Sequence, residues 1–533
     1  MGHVSTTSTT PSLPVPTHAA PLREALLAAD FTADGLLDLL GAQAYAALAR
    51  SETVPALRAT RGDAPLDTLV RLFLLQQDVA HDRAAAALPL ADALADGWVV
   101  REDDAVRATV DIRPYGGPDG EDWFIVSDLG CAVGGAGGIG KQGRDVAGEA
   151  VVLGVGGAST TLAGITVRTP VAAALDLGTG SGIQALHASR HATLVTATDL
   201  NPRALDFTRL TLALSGARGA ELLEGSLFEP VDGDTYDLIV SNPPFVISPG
   251  AGLTYRDGGM GGDDLCRTLV RQAGERLNDG GYAQFLANWQ HVEGEEWQDR
   301  LRSWVPAGCD AWIVQREVQD ITQYTELWLR DSGDHQGDPE AYRQAYGRWL
   351  DEFEARKTKG IGFGWITLRK NAAVAAGAVE PSIVAEEWPH PVEQPLGDTV
   401  RAHFERQDYL RGHDDAALLA GHFVLASEVV QEQVGLPGSE DPEHVLLRQN
   451  RGMRRATRVD HVAAGFAGVC DGTLSAGRIL DAIAQLTGED PVVLRDRTPQ
   501  AIRLLVEEGF LLPAAPTTPA TPTAPNAADG SAA

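Results

Sequence analysis

The chain has 533 residues, with 43 Lys and Arg against 73 Asp and Glu, for a formal net charge of −30 at pH 7. That length exceeds one compact domain, and a composition 44% hydrophobic and 22% charged is ordinary for a globular protein, so two to four domains are expected. No apolar run reaches the eighteen residues of a membrane span, and a chain this acidic repels a phosphate backbone at long range.

The N-terminal stretch 1–21 is Ser/Thr/Pro-rich with no apolar segment, so it reads as a disordered lead-in rather than a secretory signal. Cys131, Cys266, Cys309 and Cys470 are far apart and form no C-x-x-C pair. This argues against zinc and against a disulfide framework, and for a reducing cytoplasm. Residues 22–120 are expected to be a mainly helical, winged-helix-like domain. The run LDTLVRLFLLQQ has apolar residues at helical spacing, and LADALADGWVV followed by AVRATVDIRPY reads as helix, glycine and strands. Residues 121–165 read as a glycine-rich β linker. Its run from Gly135 to Lys141 suggests a phosphate loop, but Gln142 stands where the Mg²⁺-holding Ser or Thr belongs, so a nucleotide-triphosphate site is rejected.

Between 166 and 370 short apolar runs (ALDLG, LVTATDL, YDLIVSN, GYAQFLANW, AWIVQRE, GFGWITLR) alternate with helical stretches. That alternation predicts an open α/β sheet. Residues 371–512 are expected to form a helical, winged-helix-like domain that contains the basic stretch LLRQNRGMRRATR, with Arg448, Arg451, Arg454, Arg455 and Arg458. Residues 513–533 are Pro/Thr/Ala-rich and expected to be a disordered tail.

Three motifs in the α/β segment point to a cofactor. Asp176 and Leu177 end an apolar strand, and Gly178-Thr179-Gly180-Ser181-Gly182 follows directly, with a helix expected from about Ile183. Glycines there let the backbone turn sharply and approach a ligand. The loop reads G-x-G-x-G and not the G-x-G-x-x-G of a pyrophosphate site. It suits the aminoacyl chain of S-adenosylmethionine, which has no phosphate. Asp199, twenty-three residues after Asp176 and followed by Leu200, ends the next strand. Its carboxylate can accept from both ribose hydroxyls; the competing reading is a helix N-cap ahead of Asn201-Pro202. After the third strand, Ser226 and Leu227 stand where adenine would lie, with an ordinary core turn as the alternative.

The fourth strand, YDLIVS, runs into Asn242-Pro243-Pro244-Phe245. Two consecutive prolines make a stiff extended loop at the strand end where open α/β sheets bind ligands. The Asn242 side-chain oxygen and the Pro243 carbonyl are two acceptors that could hold the two hydrogens of an –NH₂ group, with Phe245 lying against a flat acceptor. Methyl transfer of this kind needs positioning and no metal.

Together these motifs resemble class I S-adenosylmethionine-dependent methyltransferases, with the HemK/PrmC glutamine methyltransferases as the nearest branch. The resemblance extends through Phe245-Val-Ile-Ser-Pro249 and Tyr255-Arg-Asp-Gly-Gly259 and covers about 200 of the 533 residues. It implies a Rossmann-like sheet, cofactor contacts at Gly178 to Gly182, Asp199 and Leu227, an acceptor oriented by Asn242, and a glutamine in a translation release factor as substrate. Departures are Ser226 where an acidic residue is common, and Phe245 where Tyr is usual. The Pro-Arg-Pro block is also missing, with Val167-Arg168-Thr169-Pro170 in its place. Phe at position 245 is common in relatives that methylate guanine in ribosomal RNA, so a ribosomal RNA base, at guanine N2 or adenine N6, is the alternative acceptor. A cofactor-binding protein without activity is a third reading. The expected partners are thus a translation factor or ribosomal RNA, and no membrane.

Overall fold

The computed structural model describes residues 17–130, 151–250, 260–437 and 444–515. Contacts divide the chain into two compact units, one ending at Pro389 and the other starting at His390. The run from Gly135 to Lys141 and the segment Tyr255–Gly259 lie outside the described residues.

The first unit opens with α1 (Ala19–Ala28), which begins within the stretch read as a lead-in. Thr17 and His18 are tied by hydrogen bonds to the buried Asp96. α2 (Ala33–Leu48), α3 (Val54–Ala59) and α4 (Pro65–Leu69, widening into the turn Val70–Leu74) follow. Next come β1 (Val79–Ala80), α5 (His81–Ala87), α6 (Leu90–Ala95), β2 (Val99–Glu102) and β3 (Ala105–Ala108). The small antiparallel sheet runs β1-β3-β2. A second hairpin, β4 (Asp111–Gly116) and β5 (Asp122–Ser127), docks on the α/β part. The backbone amides of Phe124 and Val126 donate to Ser215 Oγ and Thr211 Oγ1.

The eight-stranded sheet is then built from α7 (Gly157–Ile165), β6 (Val171–Leu177), α8 (Ile183–Ala188), β7 (Ala192–Asp199), α9 (Pro202–Leu214), β8 (Glu221–Glu224) and β9 (Tyr236–Ser241). It continues through α10 (Asp264–Ala273), β10 (Leu277–Val292), α11 (Trp297–Arg302), β11 (Cys309–Asp320), α12 (Ile321–Asp331), α13 (Pro339–Ala355) and β12 (Thr358–Lys370). The short α14 (Ala372–Ala375) and β13 (Ile383–Glu387) complete it. The strand order is β13-β11-β12-β10-β9-β6-β7-β8. Strands β6 to β9 are mutually parallel and β10 is parallel to β9; β12 runs antiparallel to both β10 and β11. The fold is the α/β Rossmann-like sheet that the alternating runs imply. It extends past Lys370, because Ile383–Glu387 adds an edge strand parallel to β11.

The carboxyl end of β6 and nearly all of β9 are buried on both faces, which is why ALDLG and YDLIV read as continuous apolar runs. Leu175, Ile239, Phe285 and Ile313 share one core with Leu265, Leu269 and Trp304. β10 pairs with β9 only as far as Phe285 opposite Ser241, then continues seven residues to Val292 paired with β12. At about 3.3 Å per residue that is an overhang of roughly 23 Å beyond the parallel strands.

The second unit carries α15 (Gly397–Arg411), α16 (Asp415–Ala420), β14 (His422–Leu425), β15 (Val429–Val434), β16 (His444–Gln449), β17 (Ala456–Val459) and α17 (His461–Gly468). It ends with β18 (Asp471–Ser475), α18 (Ala476–Thr487), α19 (Pro491–Arg497), α20 (Pro499–Glu507) and β19 (Leu511–Ala514). Two three-stranded sheets result, β18-β14-β19 and β15-β16-β17. The basic stretch therefore lies on β16, the following turn and β17. Arg448 is ion-paired with Glu432 on the neighbouring strand, while Arg451, Arg454 and Arg458 are exposed. Cys266, Cys309 and Cys470 are buried free thiols.

Candidate functional site

Sheet register decides which motif residues meet. Leu177 pairs with Thr198 of β7, and Asp176 lies opposite Val240 of β9. One residue further on, Gly178 therefore leaves the sheet between Asp199 and the start of the Asn242 loop. Ser241 Oγ donates to the Leu177 carbonyl at 2.6 Å and ties those two strand ends together.

The glycine loop is held from three sides. Gly178, Gly180 and Gly182 have φ of 73°, 56° and 82°, a region other residues enter only with strain. A Cβ on Gly178 or Gly180 would meet no atom within 4 Å, so both face open space; one on Gly182 would come within 2.8 Å of Thr208 Cα. Gly182 is thus needed for packing against α9, whereas Gly178 and Gly180 leave room for a ligand. The amides of Gly178 and Thr179 both donate to the Thr198 carbonyl.

Asp176 is fully buried. Its Oδ2 accepts from Thr179 Oγ1 at 2.7 Å and from the Ala185 amide at 2.9 Å. Burial raises its carboxyl to about 7 against those two donors. It clamps the loop to α8, a positioning task beneath the ligand space. Thr179 is buried and also meets Thr208 Oγ1, and Ser181 is buried beside it.

Asp199 stands at the end of β7. Its Oδ2 accepts from the Gly180 amide at 3.0 Å and its Oδ1 from the Asn201 amide at 2.9 Å. Burial pushes its carboxyl up, opposed by the amides of Asn201, Gly180 and Leu200. Asn201, not Asp199, caps α9, with its side chain accepting from the Arg203 amide. Both Asp199 oxygens keep lone pairs available to a diol. Leu200 beside it is an exposed apolar side chain, 69% accessible. Leu227 sits half-buried against the main core at φ 50°, and Ser226 precedes it.

At the end of β9, Asn242 Oδ1 is buried and has no hydrogen-bond partner among the described residues. Leaving a buried acceptor unpaired costs about 1–3 kcal/mol, so such an atom points to an absent donor. Pro243 is buried, Pro244 is half-buried, and Phe245 packs on the main core. The Ile247 amide donates to Tyr324 Oη at 2.9 Å, and Asn288 Nδ2 reaches the same oxygen at 3.1 Å. The motif reading missed Tyr324 and Asn288. The available signal was the stretch between AWIVQRE and GFGWITLR, too long for a hairpin turn.

No group of three or more His, Cys, Asp or Glu among the described residues could hold a metal. A cleft of about 560 Å³ lies at the opposite, amino-terminal edge of the sheet, lined by Ala192, Thr196, Glu221 and Tyr236, away from every loop described above.

The methyltransferase small domain family matches residues 157–300, the segment that carries the glycine loop, Asp199 and Asn242. That segment of the chain is a methyltransferase domain of the class I, S-adenosylmethionine-dependent fold. Two domains of unknown function flank it, DUF7059 at residues 28–109 and DUF7782 at 401–513. The release factor glutamine methyltransferase of Geobacter sulfurreducens is 39% identical over 133 residues, covering 22% of this chain and 45% of its own. The ribosomal RNA small subunit methyltransferase C of Escherichia coli is 34% identical over 116 residues, covering 21% of this chain and 30% of its own. The chain thus spans less than half the length of either relative. A T. thermophilus 16S ribosomal RNA methyltransferase solved with AdoMet and guanosine is 16% identical, with 49% of this chain and 64% of that one covered and a TM-score of 0.25. Among the described residues no helix of the methyltransferase domain or its flanks is long and apolar enough to cross a membrane.

Proposed function

We propose that the chain transfers a methyl group from S-adenosylmethionine to a planar –NH₂ acceptor, and that the acceptor is a glutamine side chain of a translation factor. The observation that carries this reading is the buried, unpartnered Asn242 Oδ1 at the same sheet edge as Gly178 and Asp199. The open space above Gly178 and Gly180 and the remaining lone pairs of Asp199 fit the aminoacyl chain and ribose of the cofactor.

When bound, the cofactor supplies an electrophilic methyl on a sulfonium. The chain's own part is positioning, which can lower a barrier by about 7–11 kcal/mol. Asn242 Oδ1 and the Pro243 carbonyl accept the two amide hydrogens and aim the nitrogen lone pair. Phe245 and Leu227 offer apolar walls. Asp199 holds the ribose. Asn242 is no base, so the acceptor proton leaves to water after transfer.

Charge favours a protein over RNA. In the N-terminal region, α6 (Leu90–Ala95) carries Asp92 and no cation, and the hairpin after it turns at Asp103-Asp104. A helix reading nucleic acid needs cations for the phosphates. The second reading, a ribosomal RNA base, draws on Phe245 and on the exposed Arg451, Arg454 and Arg458.

The test is transfer of labelled methyl to purified release factors, ribosomal subunits and naked RNA. Label is expected in a release factor, on glutamine. Label only in RNA, lost on changing Arg454 and Arg455 to Ala and falling steeply with salt, would overturn the glutamine reading.

A further inference from the structure

The antiparallel pair β11 and β12 is not joined by a turn. Asp320 caps α12 through the amides of Thr322 and Gln323, Asp338 caps α13 ahead of Pro339, and the two helices pack against each other on the overhanging end of the sheet. Their buried face is aromatic. The Tyr324 ring lies 5.5 Å from Phe363, 6.0 Å from Trp328 and Phe353, and 6.1 Å from Trp349.

This cluster buries Val246 and Ile247, which directly follow the Asn242–Phe245 loop, with Leu329, Trp349, Phe353 and Ile361. Further along the same segment, Arg356 at the end of α13 closes over Gly261 and Gly262. The hairpin thus packs on both flanks of the chain that leaves the acceptor loop. On β10, Trp289 points into the main core while its neighbour Asn288 points the other way, to Tyr324.

Tyr324 Oη is a polar link between this hairpin and the backbone just after the loop. Two prolines stiffen Pro243-Pro244 but leave the loop's far end free to shift. The Ile247 amide pinned to Tyr324 removes that freedom. Burial drives the Tyr324 phenol well above its usual range, so it stays a neutral hydroxyl.

Resting on the methyl-transfer reading, we propose that Tyr324, oriented by Asn288, is a positioning residue for the acceptor loop and that the α12–α13 hairpin is the acceptor-side wall of the site. The wall's exposed surface is acidic on balance between Ile321 and Lys357, which suits a basic protein surface around the acceptor.

Tyr324→Phe keeps the four ring contacts and deletes one hydroxyl. In the full-length protein, calorimetric affinity for S-adenosylmethionine should stay within about twofold, whereas kcat with purified release factor should fall on the order of tenfold to a hundredfold, as small misplacements do. Asn288→Ala should lower kcat too, and the double variant should fall no further than the worse single one, because both act through one oxygen. Hydrogen exchange should quicken in the peptide spanning 242–250 and not in β6 or β7. An unchanged kcat would overturn the proposal, as would a loss of cofactor affinity equal to the loss of rate. If the parent methylates none of the acceptors tested, the function reading falls. Exchange then decides the positioning role alone: unchanged exchange at 242–250 rejects it, and selective quickening supports it.

Discussion

The two halves of the large sheet are built on opposite plans. Strands β6 to β9 are short and parallel, and their loops present Gly178, Asp199 and Asn242 at one level. Strands β10 to β12 are long and antiparallel, overrun the others by seven residues at Val292, and carry a two-helix insertion on their far end. On the proposed reading, the parallel half holds the cofactor and the antiparallel half faces the acceptor. A parallel strand must end where its crossover begins, so its carboxyl edge is a fixed place for a ligand. An antiparallel pair can be prolonged and elaborated without disturbing that edge.

The largest effect that would test this division is at their junction. Asn242→Ala should lower kcat by about two to three orders of magnitude, comparable to removing one transition-state hydrogen bond, with cofactor affinity nearly unchanged by calorimetry. Near-normal turnover would break the assignment of the acceptor to the β9 end.

Within the parallel half, Asp199→Ala should weaken cofactor binding by about 1.5–3 kcal/mol, the value of a charged hydrogen bond. Because burial raises the Asp199 carboxyl from its ordinary value, its charged form is lost earlier on acidification than for an exposed Asp. Cofactor affinity should therefore fall with pH in the parent and stay flatter in the variant. Parallel curves would remove the ribose role.

The glycine loop sharpens the comparison at the level of stability. Gly182→Ala adds a methyl against Thr208 at positive φ, so it should cost about 2–4 kcal/mol in denaturant unfolding. Gly178→Ala, facing open space, should cost only the backbone strain, about 1–2 kcal/mol, yet weaken cofactor binding. Equal costs at the two positions would show that both are packing glycines.

The smallest effect concerns the β4–β5 hairpin that braces the parallel half. Arg168 Nη1 lies 3.2 Å from His187 Nδ1 and can only donate, so Nε2 carries the proton and donates to Tyr115 Oη at 3.0 Å. Burial, followed by the Arg168 charge, lowers His187 to about 3. The unfolded chain thus binds the proton between its ordinary 6.5 and about 3 while the folded one does not. Stability from this group is complete above 6.5 and lost as pH falls towards 3. Asp111 and Asp176, raised to about 6 and about 7, act in the opposite direction. The stability of His187→Gln relative to the parent should therefore rise as pH falls from 7 to 4. A difference that stays constant over that range would show that the brace does not titrate.

Much of the parallel half was legible because its signals are local. A strand that ends in glycine, a carboxylate at the end of the next, and Asn-Pro-Pro after the fourth each follow from backbone demands on a few consecutive residues. Thr179 and Asp176 show where that reading stops. Both lie in the motif, yet the structure turns them towards each other and towards the Ala185 amide, beneath the ligand space. A side chain's direction depends on what packs under it, and spacing does not carry that information.

By itself the sequence determined the α/β class and the place of the glycine loop, and it singled out Asp199 and Asn242 as the candidate groups with chemistry to offer. All rest on short-range constraints: periodicity of burial, the positive φ that only glycine takes freely, and the rigidity of paired prolines. Only the tertiary structure decided that Asn242 Oδ1 is buried without a partner among the described residues, that Ile247 hangs from Tyr324 seventy-seven residues away, and that the helices after β11 fold back over Val246 and Ile247. Those contacts join segments far apart in the chain. They exist because long antiparallel strands carry the insertion across the sheet edge, a matter of length and register that no local motif records.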